Sequence, residues 1–178
     1  LRKDDTQNRE AFHIFFTGST NSVMNILNEV CLGDKHFEMA IHLRETVFKS
    51  TILLNAETWV DLSQSNVDNL ENVDKILLCK ILETPTSTSI PALYLELGLI
   101  PLKFKIQAKR LLYLHNILNR NDSEIQYLAF KAQLNDPISG DWTETIKSDL
   151  SEFELSHLSF ESIKTMKREK FKVLVKIY

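Results

Sequence analysis

The chain has 178 residues, of which 43% are hydrophobic and 25% are charged, and its formal net charge is −3. This length supports one sizeable hydrophobic core or two small ones, and no apolar run approaches the roughly 20 residues that span a bilayer. The net negative charge disfavours a uniformly basic nucleic-acid-binding domain, although a net value does not exclude local positive clusters.

The two cysteines, Cys31 and Cys79, form neither a Cys-x-x-Cys pair nor a zinc-binding spacing. The N-terminal residues contain no apolar signal core, so the sequence does not indicate secretion. We therefore predict an intracellular protein, in the nucleus or the cytoplasm, whose thiols are small buried hydrophobic groups.

The first half of the sequence contains one short strand pattern and three helix patterns. Apolar residues at steps of three and four, together with N-cap residues and Gly33, set the limits of the helices. We predict a strand at 13–17 and helices at 21–32, from 34 towards 59, and from 63 or 65 to the residues before Pro85.

The second half follows a polar loop at 85–89 and contains helix patterns only. Gly98 ends a short helix, Pro101 suits the first turn of a long one, and Asp141 with Glu144 gives a capping-box start. We predict helices at 91–97, 101–119, from 121 across 134, from 141 onwards, after Ser159, and at 167–178.

The predicted fold is therefore all-α, a bundle-like arrangement of about seven to nine helices. The loop at 85–89 divides the chain into a helical half at 1–84 and a second at 85–178. We expect these halves to pack together, because neither is rich in apolar residues.

The sequence lacks the carboxylate patterns of the enzymes that act on nucleic acids. Polymerases hold two metal ions with paired carboxylates, and the only Asp-Asp pair, Asp4–Asp5, lies in a polar terminal stretch. The segments Glu144–Lys147 and Glu161–Lys164 have one residue too many for a restriction-like nuclease motif. The five histidines show no ligand spacing, so we predict no catalytic residue, no metal and no cofactor.

Positive charge is concentrated in two places. The first basic cluster consists of Lys103, Lys105, Lys109 and Arg110, and the second consists of Lys164, Lys167, Arg168, Lys170, Lys172 and Lys176. A cationic helix flanked by aromatic residues can lie along a phosphate backbone, although each cluster also fits a solvated helix face. The residues predicted to bind nucleic acid are Lys103, Lys105, Lys109, Arg110, Lys167, Arg168, Lys170 and Lys172.

If the region contacts nucleic acid, Lys105, Lys109 and Arg110 should lie exposed on one helix, near the lysines of the second basic cluster. Together they would form a positive groove in spite of the net charge of −3.

Several segments of the sequence form a recognisable series: Leu82–Thr88, Ala92–Leu102, Gln107–Leu118, Phe130–Leu134 and Pro137–Trp142, with Leu43–Thr46 and Leu54–Trp59 upstream. This series resembles the region downstream of the polymerase domain in non-LTR (LINE-type) retrotransposon reverse transcriptases, over about residues 20–175. The resemblance implies a thumb-like first half and a linker-like second half.

The resemblance further implies that the chain supports template RNA, primer strand or target DNA, next to a polymerase or endonuclease located outside this chain. Its partners would then be the nucleic acids of a retrotransposition complex and the other domains of the parent polyprotein. An alternative of a different class remains open: a helical protein–protein interaction module, derived from such an element, that does not bind nucleic acid.

Overall fold

A computed structural model describes residues 37–60 and 64–175, together with the single positions Asn21 and Asn25. Within these ranges the chain is helical and contains no strand, so the all-α prediction is confirmed. The strand predicted at 13–17 and most of the helix predicted at 21–32 lie outside the described residues. The helices are α1 (Phe37–Leu43), α2 (Lys49–Ile52), α3 (Gln64–Ile81), α4 (Ile90–Glu96), α5 (Leu102–Leu118), α6 (Ile125–Asn135), α7 (Trp142–Glu152), α8 (Phe160–Thr165) and α9 (Arg168–Leu174).

The chain forms two compact units, and their boundary differs from the predicted one. The first unit comprises residues 1–54 and 65–99, and the second comprises residues 55–64 and 100–178. The boundary predicted at 84/85 falls inside the first unit, because α4 packs Leu93 and Tyr94 with Leu78 and Cys79 of α3. Residues 55–64 belong to the second unit. The periodicity of the sequence did not indicate this assignment.

A π-helical turn, Arg44–Phe48, joins α1 to α2 without interrupting the helical path. This path ends at Ile52, and not near Trp59 as predicted, and the turn that follows contains Asn55, which has a left-handed backbone with φ of 55°. Asparagine tolerates this conformation better than most residues do. A short 3-10 turn, Ala56–Thr58, follows and belongs to the second unit.

A buried ion pair joins the helices of the first unit. Arg44 and Asp74 are fully buried, and the Arg44 Nε donates to the Asp74 Oδ1 over 2.7 Å. The Arg44 Nη2 also donates to the second oxygen of Asp74, which accepts from the Tyr94 hydroxyl over 2.9 Å. Burial, followed by the neighbouring Asp74 carboxylate, raises the pKa of Tyr94, so this hydroxyl remains a proton donor.

The second unit is organised around α5. The core residues Leu111, Leu114 and Ile163 are completely buried, and α6, α7, α8 and α9 all pack against α5. The Asp141 side chain caps α7 by accepting from the Glu144 amide over 2.8 Å, as its sequence pattern predicted. The ring of Trp142, which follows this cap, is only 9% exposed and lies in the same core.

Candidate nucleic-acid interface

Arg110 of the first basic cluster points into the second unit and is only 4% exposed. Its Nε and Nη2 donate to the two oxygens of Asp149 over 2.7 and 2.8 Å, and its Nη1 donates to the Trp59 carbonyl over 3.1 Å. The expectation that Arg110 lies exposed is therefore wrong. The physical reason is that α7 places a buried carboxylate opposite it, and an unpaired buried charge there would be costly.

The ion pair of Arg110 and Asp149 is buried and has a structural role inside the second unit. Burial raises the pKa of Asp149, while the hydrogen bonds and charge of Arg110 oppose that rise by favouring the carboxylate. The two parallel hydrogen bonds fix the orientation of the guanidinium plane. Arg110 thus joins α5 to α7 and to the chain near Trp59, which are all parts of the second unit.

Two lysines of the first basic cluster also have carboxylate partners within this unit. Lys103 pairs with Glu152, which also accepts a hydrogen bond from the Gln107 amide. Although partial burial opposes the change, these contacts hold the pKa of Glu152 below its ordinary value. The Lys109 Nζ lies 3.8 Å from the Glu57 Oε2, so much of the positive charge of this cluster is locally balanced.

Lys105 and Lys109 do lie on the same helix as Arg110, and the Lys109 side chain is 44% exposed whereas Lys105 is half-buried. The first basic cluster therefore presents one well-exposed cation where the sequence indicated a continuous row. The predicted groove does not include Arg110.

The second basic cluster has a different environment. Phe171 and Val175 are buried in the core of the second unit, whereas Lys167, Arg168 and Lys170 are exposed. Within residues 37–60 and 64–175, no carboxylate lies within the 4.0 Å ion-pair distance of these three cations. Lys172 is half-buried and pairs with Glu169 over 3.0 Å, and Lys176 lies outside the described residues.

His115 holds the second basic cluster against α5. Its Nε2 lies 2.8 Å from the Met166 carbonyl, and its ring stacks on Phe171 with a centroid distance of 5.5 Å. His115 is ten residues beyond Lys105, about 15 Å along the axis of α5. The second basic cluster is thus anchored towards the opposite end of α5 from Lys105.

Sequence reasoning missed one group of positive charge. The Lys131 Nζ lies 4.9 Å from the centre of the Tyr127 ring, and the Lys164 Nζ lies 5.8 Å from the same ring. The spacing of Tyr127 and Lys131 places them on one face of α6, which was visible in the sequence. The approach of Lys164 from α8 was not visible, because it depends on tertiary packing.

The second unit also contains an open cleft of about 400 Å³. Tyr113 and Phe130 each meet the Trp142 ring edge to face, at centroid distances of 5.9 and 6.1 Å. The Trp142 Nε1 donates to the Glu57 carbonyl over 2.9 Å, which fixes the ring. The lining residues are Thr58, Val60, Tyr113, Ile117, Gln126, Ala129, Phe130, Gln133, Asp141 and Trp142.

Neither protein-family models, nor curated proteins, nor solved structures give a significant match to the chain. Among the described residues, no three histidine, cysteine or acidic side chains are grouped so as to hold a metal ion. None of the helices in residues 37–60 and 64–175 has the length and apolar character needed to cross a membrane.

Proposed function

We propose that this chain is a non-catalytic helical accessory region, related to the post-polymerase region of a non-LTR retrotransposon reverse transcriptase, that binds RNA or DNA. The observation that carries the proposal is the exposure of Lys167, Arg168 and Lys170 without a carboxylate partner in the described part of the chain. Such cations are available to neutralise phosphates and release counterions. The resemblance of the sequence to these reverse transcriptases supports the same choice.

In this proposal the two basic clusters have different roles. The second basic cluster contacts the nucleic acid, and the first mainly braces the second unit through the ion pairs of Arg110 and Lys103. The polymerase or endonuclease activity belongs to other parts of the parent protein. Phosphate contacts of this kind position a strand without reading its sequence, which suits a supporting role beside an active site.

The experiment is a salt titration of binding, followed by fluorescence anisotropy, with labelled single-stranded RNA and duplex DNA as separate probes. Replacing Lys167, Arg168 and Lys170 together with Gln should lower the slope of log affinity against log salt by about 3 units on duplex DNA. The control is the pair Lys103→Gln and Lys109→Gln, which removes two positive charges from the first basic cluster and which we expect to change the slope by less than about 1 unit. Circular dichroism confirms that all variants retain their helix content.

If the wild-type chain shows no salt-dependent binding to either probe, this proposal fails. The interaction module then becomes the better account, and one observation favours it. Ile125 and Leu128 are 75% and 50% exposed on α6, and exposed apolar groups are common at protein interfaces.

A further inference from the structure

Tyr127 brings together two lysines that lie far apart in the sequence. Its ring is 8% exposed, so it forms a fixed wall, and the ammonium groups of Lys131 and Lys164 both lie within 5.8 Å of its centre. Lys131 is exposed on α6, while Lys164 is half-buried near the end of α8. The fold thus holds two positive charges at one aromatic surface.

Lys131 and Lys164 differ from the first basic cluster, in which Lys103, Lys109 and Arg110 have carboxylate partners. Within residues 37–60 and 64–175, neither Lys131 nor Lys164 has a carboxylate within the ion-pair distance of 4.0 Å. The face of an aromatic ring attracts a cation but accepts little from its N–H groups, so each ammonium keeps donors for another ligand. Two ammonium groups near one ring, each with N–H donors left for another ligand, suit an anion that has several acceptor oxygens.

The position of the pair extends the second basic cluster. Lys164 lies three residues before Lys167 in the sequence, and the extended backbone at Met166 and Lys167 separates α8 from α9, where Arg168 and Lys170 follow. Lys131 adds a cation from α6 to this series. Because Lys164 belongs to the second basic cluster and shares the Tyr127 ring with Lys131, a phosphate backbone that reaches Lys164 also comes near Lys131.

We propose that Lys131 and Lys164 together bind a backbone phosphate of a nucleic acid strand, and that the Tyr127 ring positions the two ammonium groups for this contact. The proposal rests on the proposed function, and it adds a site on α6 that the sequence did not indicate. Phosphodiester oxygens are the acceptors, so the contact is independent of base sequence. Tyr127 is a positioning residue, because its ring orients the lysines and does not itself touch the phosphate.

The test uses the full chain and the same labelled duplex DNA and single-stranded RNA. In the double variant Lys131→Gln/Lys164→Gln, we expect the salt slope on duplex DNA to fall by about 1 to 2 units. The matched control is Lys75→Gln/Lys147→Gln, which removes the same net charge from α3 and α7 and should leave the slope unchanged. A separate arm compares inorganic phosphate with chloride at constant ionic strength.

The outcomes distinguish this site from the proposed function. If wild-type protein binds in a salt-dependent manner, but the Lys131/Lys164 variant behaves like its control, the site is refuted and the proposed function stands. If wild-type protein does not bind, both are refuted. At constant ionic strength, inorganic phosphate should displace the probe more than chloride does, because it offers the same acceptor oxygens as the strand, and equal displacement by the two anions would overturn the phosphate contact.

Variants of Tyr127 test its positioning role. Tyr127→Phe keeps the ring and should bind as wild type, whereas Tyr127→Leu should lose the same part of the salt slope as the double lysine variant. The thermal midpoint of each variant shows whether it is folded. Wild-type binding by a folded Tyr127→Leu protein would overturn the role assigned to the ring.

Discussion

Replacing Arg110 with Met should destabilise the second unit strongly, because it leaves the Asp149 carboxylate buried without its partner. Arg110 and Asp149 are 4% and 2% exposed, and their two hydrogen bonds are 2.7 and 2.8 Å long. Removing one member of a buried pair typically costs about 3–5 kcal/mol. The Trp59 carbonyl also loses a donor, so we expect a loss near the upper end of that range.

The measurement is the free energy of unfolding from urea denaturation, followed by circular dichroism. The double variant Arg110→Met/Asp149→Leu removes both charges, and we expect it to recover most of the lost stability. Arg110→Lys keeps the charge but lacks the planar fork, so its loss should be intermediate. Lys109→Met, on the adjacent and exposed position, should change stability by no more than about 0.5 kcal/mol.

A loss below about 1 kcal/mol for Arg110→Met would refute the reasoning, since it would equal the cost of an exposed ion pair. The same variant also separates the structural role of Arg110 from the one predicted from sequence. A residue that contacts phosphate would lower the salt slope of nucleic-acid binding and leave the free energy of unfolding unchanged.

Three further predictions concern single side chains. Tyr94→Phe should cost about 1.5–3 kcal/mol of unfolding free energy in urea, because the buried Asp74 carboxylate loses a hydrogen bond. Asp141→Ala should cost about 0.5–2 kcal/mol through loss of the α7 cap, measured in the same way. The folded protein has a lower pKa at Glu152 than the ordinary Glu pKa of about 4.3, so the unfolded chain binds this proton more tightly. The free energy of unfolding should therefore fall as the pH is lowered from about 4.3 through the folded pKa of Glu152. Glu152→Gln should reduce this acid-dependent loss, as thermal midpoints at pH 5 and pH 3 will measure.

An unchanged free energy of unfolding for Tyr94→Phe would mean that the two Arg44 donors are sufficient for the buried Asp74 carboxylate. Asp141→Asn retains an N-cap acceptor and should be nearly neutral, so an equal loss for Asn and Ala would exclude capping as the cause. An acid-dependent loss that is identical in Glu152→Gln and wild-type protein would assign the titration to other carboxylates.

Local signals in the sequence predicted much of the fold because they act over a few residues. Ser159 and Asp141 cap α8 and α7 with the side-chain bonds expected of them, and the limits of α5 lie close to those predicted from Pro101 and Asn119. These features depend on backbone donors one turn away. The sequence is sufficient to identify them without knowledge of tertiary structure.

The orientation of Arg110 could not be predicted in this way. Its partner Asp149 is 39 residues away, and no short-range sequence pattern indicates that the two residues pair. Helical periodicity assigns charged residues to solvent by default, although α5 is packed on several sides and also buries Gln107. The pairing of Lys131 and Lys164 at Tyr127 escaped prediction for the same reason, since it requires the packing of α6 with α8.

The second unit is discontinuous in the chain, and this determines how it can be produced in isolation. Residues 55–64 supply the Glu57 carbonyl to the Trp142 Nε1 and the Trp59 carbonyl to the Arg110 Nη1. A polypeptide that starts at Ile100 would leave both of these donors without their acceptors and would open one wall of the cleft. A peptide spanning residues 55–64, added in trans, should therefore bind such a fragment and raise its thermal midpoint, as fragment complementation does for a divided domain.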